Sequence, residues 1–285
     1  MRPSGRLPLA FLILMSCPVA ARAFDGGAWT VRPGEWYSEV SGTRLYASQQ
    51  FGVDARDGAI PSEGRFQQYL LTSYNELGWK KNVSLVLGVP FSSRTWRFYQ
   101  TTRTISGLAD LRLGFRIRLR DDAPGLILDG GWLAPSGYDK NVFPKLGDGR
   151  QKVWGALNGG IKLPGLPGFG QASRGVLFVS EDGVLYSQTS ADAAVWIGSH
   201  VLFGARYSDD VAWSSALESS RLGTAYRAGP VLLLRVDDRM DLSIGAGHQW
   251  YGRNALEFTG IYLALGFKQT KLNPMQGFLG TRQHP

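Results

Sequence analysis

Ala109-Asp110-Leu111-Arg112-Leu113-Gly114-Phe115-Arg116-Ile117-Arg118-Leu119 is the stretch that decides the fold. Its odd positions carry Ala109, Leu111, Leu113, Phe115, Ile117 and Leu119, and its even positions carry Asp110, Arg112, Gly114, Arg116 and Arg118. A helix would scatter these residues around its circumference, whereas a strand sends successive side chains to opposite faces. One face is then wholly apolar and the other bears four charges. The stretch reads as a strand with one side in an apolar medium.

The alternation recurs outward from this point in both directions. Val83, Leu85, Leu87, Val89 and Phe91 alternate with Asn82, Ser84, Val86 and Gly88, and Ile261, Leu263, Leu265 and Phe267 with Gly260, Tyr262, Ala264 and Gly266. Such runs predict strands near 34–47, 65–78, 80–91, 107–120, 124–137 and 150–163. In the second half they fall near 170–180, 184–197, 200–208, 220–235, 240–251 and 255–268. Short turns are expected at Trp79–Lys81, Asp121–Ala123, Pro164–Gly168, Gly198–Ser199 and Asp237–Arg239. Longer polar connections at 48–64, 92–106, 138–149 and 209–219, with shorter ones near 181–183 and 252–254, alternate with them in order. A soluble sandwich would turn the same apolar faces inward, but it has no reason to sort its connections by length. Short periplasmic turns and long external loops are the pattern of a membrane barrel. The expected fold is therefore all-β, a single antiparallel transmembrane β-barrel of about 12 strands over residues 34–268.

The N-terminus fits export. Arg2 and Arg6 precede an apolar run from Leu7 to Met15, and Ala21-Arg22-Ala23 forms an A-x-A site, so residues 1–23 read as a signal peptide cleaved after Ala23. The competing readings are an uncleaved anchor and lipidation of Cys17, whose preceding Leu14-Met15-Ser16 loosely matches a lipobox. Cys17 is the only cysteine of the 285 residues, so cleavage after Ala23 leaves no thiol for disulfides or thiolate metal sites. Residues 24–33 read as a short periplasmic lead-in, and 269–285 as a flexible C-terminal tail carrying Pro, Gly and the two charges of Lys271 and Arg282. No stretch after residue 23 approaches the 18 consecutive apolar residues of a membrane-spanning helix.

Three basic residues leave with the leader, so +5 of the formal net charge of +8 remains, scattered singly. That distribution argues against a nucleic-acid partner. The 37 glycines and the 12% aromatic content suit a closed sheet with aromatic girdles at its two interfaces.

Several short segments resemble a known family. Gly27-Ala28-Trp29-Thr30 with Arg32-Pro33-Gly34-Glu35, Tyr74-Asn75-Glu76-Leu77-Gly78-Trp79, Ser106-Gly107-Leu108-Ala109-Asp110-Leu111 and Leu133-Ala134-Pro135-Ser136-Gly137 carry the likeness. They resemble the XagA-like and meta-pathway phenol-degradation family of outer-membrane β-barrel proteins. The resemblance implies an outer-membrane location and roles in transport or surface polysaccharide. It departs at the C-terminus, where residues 268–285 follow a Gly260–Phe267 strand that looks like the signal read by the barrel-assembly machinery.

Function is sought on the non-lipid face. Pairing across Asp121–Ala123 puts Arg116 opposite Asp129, with Asp110, Arg112 and Arg118 on the same side. Glu35, Glu39, Glu76, Lys152, Trp154, Lys162, Asp192 and Arg227 are expected to face the lumen as well. These charges read either as a constriction that selects small solutes or as an ion-pair network that fills a narrow barrel. Trp154 reads as a stacking surface or as filler, and Trp79 and Trp96 as interface residues at the two ends of one strand.

Catalysis finds little support. His200, His248 and His284 are the only histidines and are dispersed, so neither a Ser–His hydrolytic site nor a transition-metal site is expected. No cofactor is expected either. The sequence thus points to a narrow channel for small polar or aromatic solutes, contacting outer-membrane lipids and, during biogenesis, the assembly machinery. The alternative is a non-conducting surface barrel serving adhesion or exopolysaccharide production.

Overall fold

The computed structural model describes residues 31–51, 57–60, 64–98, 100–120, 125–139, 146, 150–180, 184–213, 224–237, 239–253 and 255–269. The cleavage site, the lead-in before Val31 and the tail from residue 270 lie outside them. The strands are β1 (Trp36–Ala47), β2 (Gln49–Phe51), β3 (Asp57–Ala59), β4 (Arg65–Lys80), β5 (Val83–Phe98), β6 (Thr101–Leu108), β7 (Leu111–Arg120) and β8 (Gly125–Ala134). Then come β9 (Lys152–Lys162), β10 (Gly168–Val179), β11 (Val184–Ile197), β12 (Val201–Trp213), β13 (Thr224–Arg235), β14 (Met240–Arg253), β15 (Ala255–Leu256) and β16 (Thr259–Gln269).

All pairings are antiparallel, and each wall strand pairs with its sequence neighbours. The wall closes because β1 pairs with both β4 and β16, Val40 lying opposite Ser73 on one side and Leu265 on the other. β6 and β7 form one wall strand with an interruption, so the barrel has twelve staves. β2, β3 and β15 form a small separate sheet between the β1–β4 and β14–β16 connections.

Burial identifies the medium outside. Leu85, Leu87, Phe91, Leu113, Phe115, Leu157, Ile261 and Leu263 are all exposed, whereas Glu76, Ser84, Arg116, Ser190 and Gln249 are almost wholly buried. A water-soluble sandwich would show the reverse. The polar face fills the lumen, and the apolar face forms the belt that hydrocarbon covers. The main apolar cluster inside is small: Ala194, Leu202 and Leu233 with Phe169 and Trp196, at the end carrying the short turns.

Three expectations need correction. The third strand does not end at residue 91, and 92–106 is not a loop: β5 runs to Phe98 and returns as β6. Its outer face is polar, with Ser106 Oγ donating to Ser93 Oγ at 2.8 Å, and its inner face mixes Ser92 and Arg94 with Trp96 and Ile105, so the hairpin has no apolar outer side to reveal it. The loop expected at 209–219 likewise begins later, because β12 continues to Trp213. Trp96 is not an interface residue: it pairs with Phe66, and their ring centroids stand 5.5 Å apart on the inner face, beside Phe258.

The interruption between β6 and β7 has a local cause. Pro90 has no amide hydrogen to donate to the ladder, and β5 passes from Phe91↔Leu108 to Gly88↔Arg112. Two residues of β5 thus face three of the partner, a β-bulge at Ala109–Leu111. The extra residue keeps Leu108 and Leu111 both outward while turning Asp110 into the lumen.

Candidate lumen site

The inner wall encloses a cavity of about 530 Å³ reaching strands all around the barrel. Of the residues expected to face inward, Glu39, Asp110, Arg112, Arg116, Asp129, Trp154 and Arg227 line it directly. Glu76 and Asp192 are buried behind it, and Lys152 pairs with Asp110 at 3.1 Å. Arg118 and Lys162 share the inward phase of β7 and β9 but stand toward the short-turn end. Glu35 precedes β1 at that same end and accepts the Arg32 amide at 3.1 Å.

The charges assemble into distinct groups. Arg116 donates to Asp129 and to Glu76, each at 2.8 Å. To reach Glu76 it crosses β5 above Ser84, whose side chain is small enough to let the guanidinium pass. Asp129 also accepts from Asn158 at 2.7 Å, and Glu76 from the Tyr74 hydroxyl at 3.1 Å and the Val31 amide at 3.2 Å. The Glu76 contacts tie the chain leading into β1 to the lumen network. The fit is close, because a Cβ at Gly78 would sit 1.9 Å from the Arg32 carbonyl oxygen.

Across the lumen, Asp192 accepts from Gln171 at 3.1 Å and Arg206 at 3.2 Å. Nearer the loop end, Asp210 accepts from Gln188 at 2.9 Å and Arg227 at 3.0 Å. Asp110 takes the Tyr138 hydroxyl as well as Lys152, which draws the β8–β9 connection inward. Leu146 of the same connection is buried against Gly107. These groups are ionic crosslinks between staves that are adjacent or one strand apart, and they narrow the lumen from its wall.

Two arginine–aromatic stacks face the remaining space. The Arg112 guanidinium lies 4.1 Å from the Trp154 ring centroid, and that of Arg206 lies 5.1 Å from Tyr262. Glycines make room for both rings: a Cβ at Gly114 or Gly131 would meet Trp154 at 3.0 Å, and one at Gly245 would meet Tyr262 at 2.3 Å. The indole Nε1 of Trp154 and the hydroxyl of Tyr262 are buried and make no hydrogen bond to protein. Buried donors of this kind are costly unless water or a bound molecule meets them. Sequence reading missed Tyr262 and Arg206. Tyr262 sits among the small residues Gly260, Ala264 and Gly266 on the inner face of β16, and the β12 stretch holding Arg206 has polar residues on both faces. Among the described residues, no group of His, Cys, Asp or Glu is placed to hold a metal ion.

A closed twelve-stave barrel with an apolar belt and a polar, charged interior is an outer-membrane type of β-barrel. No protein-family model and no curated protein matches the sequence. Among solved structures the chain is similar to an outer-membrane channel from Pseudomonas putida F1, with TM-score 0.70 at 10% identity over 88% of this chain and 100% of that one. It is also similar to the translocator domain of the autotransporter NalP from Neisseria meningitidis, with TM-score 0.53 at 10% identity over 91% of this chain and 94% of the domain. At such identities the likeness is one of fold.

Proposed function

We propose that the chain resides in the outer membrane of a Gram-negative bacterium and acts as a narrow passive channel for small polar or aromatic solutes. The observation that carries this reading is a lumen cavity of about 530 Å³ lined by two arginine–aromatic stacks, Arg112 on Trp154 and Arg206 on Tyr262. A barrel filled only for stability would leave no such space. Here space large enough for water or a one-ring solute remains between arginines stacked on aromatic rings. The likeness to the Pseudomonas putida channel and the resemblance to the phenol-degradation barrels point the same way. Planar-bilayer recording of the refolded barrel tests it: small discrete conductance steps are expected, reduced by an aromatic carboxylate on one side. A membrane-inserted barrel that yields no steps refutes it.

A second reading, a surface barrel for adhesion or exopolysaccharide production, draws on the β5–β6 hairpin. Its outer face is a polar ladder, with Thr95 and Thr104 hydroxyls 2.9 Å apart beside the Ser93–Ser106 pair. Shortening the hairpin to Phe91–Leu108 would abolish attachment on that reading and spare conductance on the first.

A further inference from the structure

The apolar belt does not end at one height around the barrel. On β8 and β9 the outward face stays apolar close to the loop end, where Trp132 stands opposite Val153 and both are exposed. On β4, β5 and β6 the last outward apolar row is Leu71, Phe91 and Leu108. The strands run on past it, on β5 as far as Phe98, and every outward side chain beyond that row is polar or has a polar tip.

The register sets these side chains in rows. Tyr69 lies opposite Ser93, and Ser93 opposite Ser106. On the other side of Tyr69 the same row continues into Arg44 of β1, whose guanidinium lies 5.7 Å from the Tyr69 ring centroid. Next come Gln67, Thr95 and Thr104, and then Arg65, Arg97 and Thr102. Arg44, Arg65 and Arg97 are all exposed, and no carboxylate stands in these rows. Arg65 and Arg97 are directly opposite one another, where Cβ atoms are about 5 Å apart and like charges repel. Among the described residues neither makes an ion pair. The hydroxyls bond in pairs, Ser106 to Ser93 at 2.8 Å and Thr95 with Thr104 at 2.9 Å, which leaves one proton of each pair free to donate outward.

Height decides what covers this wall. A strand rises about 3.4 Å per residue and tilts by about 40°, so the Arg65–Arg97 row stands about 15 Å beyond the last apolar one. The headgroup layer of a phospholipid leaflet is only about 5–8 Å deep. We infer that this face binds lipopolysaccharide, the outer-leaflet glycolipid whose phosphates are carried on a tall head of linked sugars. The hydroxyl rows meet the sugars. Arg44 meets phosphate just above the hydrocarbon, and Arg65 and Arg97 meet it farther out. Two facing guanidiniums can share one phosphate, so the anion converts their repulsion into a clamp. The inference rests on the outer-membrane location proposed above and not on conduction.

The test uses the full chain refolded in detergent and titrated with purified deep-rough lipopolysaccharide, bound lipid being counted by native mass spectrometry. Arg65→Gln with Arg97→Gln is expected to weaken binding about thirtyfold, the loss of two arginine–anion contacts at a membrane surface. Lys80→Gln with Lys81→Gln removes the same charge from exposed positions at the short-turn end and should change binding less than about threefold. If the arginine variant does not assemble, Arg44→Gln alone should weaken binding about fivefold. Phosphatidylglycerol and dephosphorylated lipopolysaccharide should each compete at least about tenfold less well than the intact glycolipid. Equal losses in the arginine and lysine variants, or full competition by phosphatidylglycerol, overturn the inference. A chain that does not fractionate with outer membranes in cells removes the location and this inference with it. An outer-membrane barrel whose lipopolysaccharide binding ignores Arg65 and Arg97 defeats this inference alone.

Discussion

Replacing Arg116 by methionine tests whether the lumen network is dry structure or wetted lining. The guanidinium is 2% exposed and holds two carboxylates at 2.8 Å, Glu76 being fully buried. Arg116→Met leaves both acids without their counter-charge in a site that water does not reach. Breaking a buried pair from one side costs about 3–5 kcal/mol, because the remaining charge stays desolvated. With a urea slope of about 2 kcal/mol per molar, the unfolding midpoint should fall by about 1.5–2.5 M. The assay is urea unfolding of the refolded barrel in detergent, read by loss of the compact, heat-modifiable form on a cold gel. The triple variant Glu76→Gln, Arg116→Met, Asp129→Asn removes all three charges and should regain most of that loss. In planar bilayers the single variant changes the fixed charge of this group from −1 to −2 and should move selectivity toward cations. A midpoint within about 0.5 M of wild type, near the scatter of such extrapolations, would show that water already solvates Glu76 and Asp129 and would refute the reasoning.

Other perturbations address single features. Trp154→Ala removes the ring beside Arg112 and enlarges the cavity, so unit conductance should rise; no change would place the ion path away from β9. Gly78→Val puts side-chain carbon where the Arg32 carbonyl oxygen stands, and limited proteolysis should then cut near residues 31–35 while the barrel stays folded. Phe115→Arg on the outer face should cost about 2–4 kcal/mol in the urea assay if hydrocarbon covers it, and almost nothing if water does.

The fold was legible wherever both faces of a strand differ in polarity. β7 and β9 alternate cleanly, and their expected ranges differ from the observed ones by a few residues. Legibility failed where that difference vanishes. The upper parts of β5 and β6 are polar outside and mixed inside, and the end of β12 has Asp209 outward next to Asp210 inward. A period-two signal measures contrast between faces, so a strand that leaves the belt or carries charge on its lipid side reads as loop. The bulge at Asp110 was invisible for another reason: it is caused by Pro90 on the neighbouring strand, and only register connects the two.

The site was legible one residue at a time but not as a set. Phase alone places Arg116 opposite Asp129, because they share a hairpin. The contact from Arg116 to Glu76 spans 40 residues and crosses an intervening strand, so it depends on barrel curvature and on the small Ser84 between them. The same curvature turns the usual meaning of burial around. A globular core excludes charge because apolar packing is the alternative inside, whereas here the apolar residues are held outside by lipid, and the interior is left to charges that crosslink staves adjacent or one strand apart. Paired in this way they stiffen the wall without filling it, so the space that remains is bounded by side chains locked in place. A rigid polar lining costs little further ordering when a small solute enters it, which suits the passage proposed above. Arg174 and Asp209, on the outer face of β10 and β12, depart from this arrangement, since they put charge on the side that lipid should cover.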